Sequence, residues 1–108
     1  MLYHSNMEEF GKIIVFRILA KTNKSIMNKF CRQFYGYLDR SHNSQYTYKR
    51  KGFIERFPYI KPLRGVIIVK KEDAKKIISF LNSYNAEIYA RDIILVKEDK
   101  DKLKSVKK

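Results

Sequence analysis

The residues of this chain whose types and spacing could do chemistry are concentrated in residues 45–57. Tyr46 and Tyr48 alternate at the period of a β-strand, so their rings share one face, and three consecutive basic residues follow them. Flat rings beside a row of cations fit the bases and phosphates of a nucleic acid, above all where the bases are unpaired. The alternative interpretation is an edge strand that its charged residues keep in solution. We favour binding, because the positive charge extends well beyond this stretch.

The positive charge of the chain is concentrated in its middle. Net charge is +13, from 24 Lys or Arg and 11 Asp or Glu, and residues 17–64 contain only Asp39 and Glu55 as acidic residues. Such a field attracts polyanions, but it does not separate RNA, DNA and an anionic membrane surface. We predict that two tyrosines stack on bases and that basic side chains hold phosphates. The predicted nucleic-acid-binding residues are Tyr46, Tyr48, Lys49, Arg50, Lys51, Arg56, Arg64, Lys24, Lys29 and Arg32.

One loop contains the only residues that resemble a catalytic group. Within residues 37–44, Asp39 and His42 could act as acid and base, with Ser41 or Ser44 as a hydroxyl. Polar residues of these types are also the ordinary residues of turns, and we favour that role. Four glycines without a phosphate-loop pattern, and the absence of Cys-x-x-Cys or His-Glu-x-x-His, predict no catalytic residue, no metal and no cofactor. The chain is therefore predicted not to be an enzyme.

Length and cysteine content indicate a small intracellular protein. A chain of 108 residues with 44% hydrophobic residues can form one core without a metal or a disulfide. Cys31 is the one cysteine, and we expect it to pack in the core. No apolar run approaches the roughly 18 residues that cross a bilayer, and residues 1–9 lack the pattern of a signal peptide. We predict a cytoplasmic location and no membrane partner.

Apolar periodicity divides the chain into six elements. Residues 12–20 and 64–70 are almost continuously apolar, which predicts two central strands. A helix capped by Thr22 or Asn23 carries an apolar stripe, and a second helix begins near residue 72 and ends at Asn85. The first stripe comprises Ile26, Met27, Phe30, Cys31, Phe34 and Leu38. The tyrosine stretch and residues 86–96 complete the strands, while residues 58–64, which contain two prolines, are predicted to be a connection or an edge.

The order strand, helix, strand, strand, helix, strand predicts a ferredoxin-like α+β fold. This is a four-stranded antiparallel sheet with two helices on one face. We predict a flexible lead at 1–10, a single domain at 11–97 and a charged tail at 98–108, in the form of a frayed helix or a disordered segment. The open face of the sheet is then the natural binding surface.

Two families share this element order, and we assign the chain to neither. Arg64 and Gly65 resemble the start of the RNA recognition motif signature, but Val66 and Ile68 replace its stacking aromatics. The small CRISPR-associated nucleases carry a metal-binding Asp at the end of the first strand, where this chain has residues 16–18, Phe-Arg-Ile.

The sequence therefore predicts a small basic nucleic-acid-binding protein, with RNA or single strands ahead of DNA. A non-catalytic subunit of a larger protein or ribonucleoprotein assembly, with a protein partner or a second copy, is the alternative. A small metal-dependent nuclease ranks third.

Overall fold

The fold is mixed α+β, as predicted. The computed structural model describes residues 9–19, 23–41 and 46–104. In chain order the elements are β1 (Phe10–Ile18), α1 (Lys24–Tyr35), β2 (Gly36–Ser41), β3 (Tyr46–Lys51), β4 (Tyr59–Leu63), β5 (Val66–Lys70), α2 (Ala74–Asn82), β6 (Ala86–Ile94) and α3 (Lys97–Lys104). Short 3₁₀ turns lie at Phe53–Arg56 and Lys71–Asp73.

Four strands form an antiparallel sheet in the order β4-β5-β1-β6. β1 pairs with β5 from Gly11↔Lys70 to Val15↔Val66, and with β6 from Phe10↔Ile94 to Ile18↔Ala86. The two apolar runs of the sequence are thus the central pair, as predicted. A run that is apolar on both faces fits the middle of a sheet better than an edge. Here only one face is covered, and Val15 on the other is 39% exposed.

The core lies between one face of the sheet and helices α1 and α2. Alternate residues of β1, Ile14 and Phe16, point to this face and are almost fully buried. Phe30 and Phe34 of α1 stack with their ring centroids 5.2 Å apart, and the Phe16 ring meets Phe34 edge-on at 5.5 Å. Ile77 of α2 closes the same cluster. Cys31 is only half-buried and packs at its border.

α1 begins and ends at residues expected to cap it, whereas α2 ends at Asn82, three residues before the expected cap Asn85. The Ile26 N–H donates to the Asn23 side-chain oxygen at 2.9 Å, which satisfies an amide that the helix leaves unpaired. Gly36 ends α1 with φ 91°, and Asn85 adopts φ 58° after α2. The placement of Leu38 on the α1 stripe is wrong, because α1 ends at Tyr35 and Leu38 lies in β2, 56% exposed.

The tyrosine stretch does not belong to the four-stranded sheet, which corrects the sequence prediction. β3 pairs with β2 as a separate antiparallel hairpin, and β4 takes the place expected for the tyrosine strand. All six residues of β3 are exposed, because its sequence offers no aliphatic face to bury. The prediction of a turn at residues 37–44 is wrong for residues 37–41, which belong to β2. His42, Ser44 and Gln45 lie outside the described residues.

The hairpin projects from the body of the molecule. Its strands pair with each other and not with β1, β4, β5 or β6. The radius of gyration is 16.6 Å. A compact domain of this length would have about 13 Å. The molecule is therefore less compact than a typical domain of its length.

The charged C-terminal stretch contains a third helix. α3 carries i,i+4 ion pairs between Lys97 and Asp101 and between Glu98 and Lys102, and Leu103 is buried to 3% exposure. α3 lies against β4, so the predicted frayed or disordered tail is an ordered helix through residue 104. Residues 1–8 of the predicted lead and 105–108 lie outside the described part of the chain. No helix in the described ranges is long and apolar enough to cross a bilayer.

Candidate nucleic-acid interface

The β2–β3 hairpin divides the predicted tyrosine and lysine surface between its two faces. Tyr46, Tyr48 and Arg50 share one face, because their partners in the register are the alternate residues of β2. Lys49 and Lys51 lie on the other face. Tyr46 and Tyr48 are 52% and 49% exposed, and the Arg50 guanidinium carbon lies 5.7 Å from the centre of the Tyr48 ring.

Two cations of the hairpin form ion pairs with Asp39 and Glu55. These are the only acidic residues within residues 17–64, which we call the basic segment. Arg50 Nη2 lies 2.9 Å from Asp39 Oδ2, across the hairpin. Lys49 Nζ lies 2.9 Å from Glu55 Oε2, in the 3₁₀ turn that follows. The hydrogen bond from Lys49 holds the pKa of Glu55 below its ordinary value, with a further contribution from the backbone N–H of Gly52. A phosphate must compete with these carboxylates for both cations.

Three other predicted cations converge where the hairpin meets the helices. Arg32 of α1, Lys51 of β3 and Arg56 of the 3₁₀ turn line one groove of about 420 Å³. Aromatic rings from β2, the 3₁₀ turn and α2 complete its walls. These rings belong to Tyr37, Phe53 and Phe80.

This groove continues in both directions. Arg32, Gln33 and Tyr37 are shared with a groove of about 400 Å³ along α1. Phe53, Arg56 and Phe80 are shared with one of about 650 Å³ beside α2. We name the continuous depression the basic groove. Its basic side chains are Lys29, Arg32, Lys51, Arg56, Lys75 and Lys76.

The cations of the basic groove have no direct carboxylate partner in the described part of the chain. No described Asp or Glu lines the groove, and none of its six cations forms an ion pair, although Glu55 and Asp73 lie near enough to interact electrostatically with Lys51 and Lys76. Unpaired cations around a concave surface produce a focused positive potential, which attracts an anionic ligand. The groove, and not the tyrosine strand, is therefore where the unpaired basic residues are brought together.

Aromatic contacts hold the two guanidinium groups of the groove. The Arg32 guanidinium carbon lies 4.0 Å from the Tyr37 ring centre, and that of Arg56 lies 5.0 Å from the Phe53 ring centre. Phe53 in turn stacks on Phe80 with centroids 4.4 Å apart. A guanidinium held against a ring keeps its N–H donors free for phosphate oxygens while it loses little conformational freedom on binding.

Two glycines at the hairpin base place Tyr37 and Lys51 at the groove. A Cβ on Gly52 would lie 2.3 Å from the Phe34 carbonyl oxygen and 2.4 Å from the Gly36 nitrogen. A Cβ on Gly36 would lie 2.4 Å from the Arg50 carbonyl oxygen. Only glycine permits two backbone segments to approach this closely, so these residues fix the angle at which the hairpin leaves the body.

The remaining predicted residues lie elsewhere. Arg64 lies in the turn between β4 and β5, beside a separate cavity of about 310 Å³ that Tyr35 also lines. Lys24 begins α1 and does not line the basic groove. None of the ten predicted binding residues lies on a strand of the four-stranded sheet. Its second face is open at Val15 and Tyr89, while α3 lies at the β4 side.

Sequence reasoning missed Lys75 and Lys76 of α2, and three aromatic residues of the groove walls. These are Tyr37, Phe53 and Phe80. Both lysines lie off the apolar stripe of their helix, which is a signal for an exposed face. That signal does not say which other element the face adjoins.

Of the residues considered for catalysis, the structure describes Asp39 and Ser41, both in β2. Asp39 is paired with Arg50, and His42 and Ser44 lie outside the described ranges. Within those ranges no group of three or more His, Cys, Asp or Glu side chains could hold a metal ion.

The chain matches no protein-family model, no curated protein and no solved structure.

Proposed function

We propose that this protein binds single-stranded nucleic acid in the basic groove, with RNA ahead of DNA. The observation that carries the proposal is the convergence of six unpaired cations and several aromatic rings from α1, the hairpin, the 3₁₀ turn and α2 around one continuous depression. Phosphates lie along the cations, and bases stack on those parts of the rings that Arg32, Arg56 and the Phe53–Phe80 stack leave uncovered. RNA is placed ahead because its recognition depends mainly on unpaired, stacked bases.

The exposed tyrosines extend this surface in the proposal. Tyr46 and Tyr48 stand on the projecting hairpin, whose base supplies Tyr37 and Lys51 to the groove. A strand that leaves the groove along the hairpin meets two further rings, each worth roughly 1 to 3 kcal/mol per stacked base. The cations paired with Asp39 and Glu55 add less, because each must first lose its carboxylate.

We also propose that the body is a ferredoxin-like arrangement with an inserted hairpin. Without β2 and β3 the remaining elements run strand, helix, strand, strand, helix, strand, and α1 and α2 contribute to one core on one face of the sheet. These features support the proposal. In this proposal the inserted hairpin provides part of the binding surface, because the basic groove forms where the hairpin joins the body.

Salt dependence tests the binding proposal directly. With six phosphate contacts at roughly −0.7 each, the slope of log affinity against log salt is expected to be about −4, so affinity falls about 300-fold between about 50 and about 200 mM salt. The measurement is fluorescence anisotropy of a labelled single-stranded RNA, repeated with DNA of the same sequence and with the RNA duplex. An affinity that does not change with salt would refute electrostatic binding.

A matched pair of variants separates the groove from net charge. Lys75→Gln with Lys76→Gln is expected to reduce the slope to about −3. Lys100→Gln with Lys104→Gln on α3 removes the same charge away from the groove and is expected to change the slope far less. Equal effects in the two variants would mean that binding is diffuse and that the groove is not the site.

A further inference from the structure

The two edges of the four-stranded sheet are built differently. β4 has five residues, contains Pro62 and shows a register shift between Ile60 and Leu63, all of which hinder the addition of another strand. β6 has nine residues and an unbroken register against β1. In the described part of the chain, no backbone segment pairs with the outer side of β6. A long, regular, unpaired edge is a template for another strand.

The register identifies which backbone groups of β6 point outward. The Phe16 N–H donates to the Gly65 carbonyl at 2.8 Å, toward the β5 side of β1. The backbone groups of Phe16 therefore point away from its β6 partner, Ile88, and the groups of Ile88 point away from β1. Ala90, two residues further, points the same way. The Arg91 side chain donates to the Ala90 carbonyl at 2.8 Å, which shows that this carbonyl lies at the outer edge; Arg91 releases it when another strand pairs there.

The side chains of β6 are complementary to a second copy of the same strand. In an antiparallel pair centred on Tyr89, Glu87 of each copy lies opposite Arg91 of the other, and two tyrosine rings meet at the centre. Ile88 then faces Ala90 as a hydrogen-bonded pair, so the outward backbone groups meet each other. Moving the centre by one residue in either direction removes both charge pairs.

We propose that two copies of this chain pair through β6, antiparallel and centred on Tyr89, to form a continuous eight-stranded sheet. The Glu87 carboxylate, already paired with Arg17 of its own chain, gains Arg91 of the second copy. Aromatic pairs and opposite charges directly across strands stabilise such pairing, and side chains are closest at positions without hydrogen bonds, such as Tyr89. The two-fold axis is perpendicular to the sheet, so α1 and α2 of both copies, and both basic grooves, lie on the same side.

Charge exchange tests the register. Sedimentation velocity of nuclease-treated protein is expected to show a dimer for the wild type. Arg91→Glu alone and Glu87→Arg alone each place like charges opposite each other and are expected to weaken dimerisation at least tenfold. The double variant, and an equal mixture of the two single variants, are expected to restore the dimer. A monomeric wild type, or a double variant no better than either single variant, would overturn the proposal.

A cross-link gives an independent measurement on folded protein. In a Cys31→Ser background, Tyr89→Cys places two thiols at a pair whose Cα atoms are about 4.5 Å apart, within the range of a disulfide. Mild oxidation should yield a covalent dimer from this variant and much less from Ile93→Cys, whose symmetry mates lie eight residues apart along the strands and which keeps both charge pairs. Equal yields would refute this register. No nucleic acid is present in either assay, so the outcome is independent of the binding proposal.

Discussion

Gly52→Ala is expected to destabilise the protein strongly, although it adds one methyl group. The new Cβ would lie 2.3 Å from the Phe34 carbonyl oxygen and 2.4 Å from the Gly36 nitrogen. Ordinary contacts are about 1 Å longer, and the neighbours are backbone atoms that cannot rotate away. Overpacking costs roughly 1 to 3 kcal/mol, and rigid neighbours place this case at the upper end. For a domain of this length, about 3 kcal/mol lowers Tm by roughly 12 to 24 °C.

Thermal unfolding followed by circular dichroism measures this effect. Thr47→Ala, at an exposed position in the middle of β3, is the matched control and should stay within a few degrees of the wild type. Below its Tm, the Gly52→Ala protein should also bind RNA more weakly, because the displaced hairpin carries Tyr37 and Lys51 away from the groove. A Tm within about 2 °C of the wild type would refute the close packing at the hairpin base and its part in forming the groove.

Three further predictions follow from burial and charge. Replacing both Tyr46 and Tyr48 by Ala should lower RNA affinity at least tenfold while Tm hardly moves, because both rings are about half exposed; unchanged affinity would remove them from the site. Glu55 has a folded pKa below its ordinary 4.5, so it stabilises the fold above about pH 4.5 and this contribution is lost as the pH falls through the folded pKa. The acid-induced fall in Tm should therefore be smaller in Glu55→Gln, and an identical fall would contradict the assignment. Leu103→Ala should lower the free energy of unfolding by roughly 2 to 5 kcal/mol in a denaturant titration, because the Leu103 side chain is buried. An unchanged free energy of unfolding would mean that α3 does not contribute to the stability of the folded state.

The central strands and the helix ends could be predicted because their signals are local. The apolar runs of β1 and β5 favour the middle of a sheet over its edge, and the structure places them side by side, although one face stays open at Val15. Asn23 and Asn85 act within one turn of their helices, so nothing distant can override them. Predictions of this kind depend on a few consecutive residues and on no information about the rest of the fold.

The hairpin could not be predicted, because two segments competed for the same strand of the sheet. Pro62 argued against β4, yet an edge strand tolerates a proline whose missing N–H would face solvent. β4 offers Tyr59 and Ile60, both half-buried, while the exposed β3 has no aliphatic residue. β4 buries apolar side chains at the edge of the sheet, whereas the exposed β3 pairs with β2 in a separate hairpin.

Charge density along the sequence indicated part of the basic groove, but not all of its residues. Arg32, Lys51 and Arg56 were predicted and do converge, but Lys75 and Lys76 come from a helix beyond the basic segment. Separation along the sequence does not reveal that the 3₁₀ turn and α2 form one wall of the groove, through the stacked rings of Phe53 and Phe80.

The two carboxylates of the basic segment reduce the unpaired positive charge of the hairpin. Asp39 and Glu55 both engage side chains of β3, where they neutralise Arg50 and Lys49 and fasten the hairpin to itself and to the 3₁₀ turn. Lys51, Arg32 and Arg56, at the base of the hairpin, form no ion pair with a carboxylate. Removing Asp39 would accordingly extend the cationic surface outward along β3, whereas removing Lys51 would take charge from the groove itself.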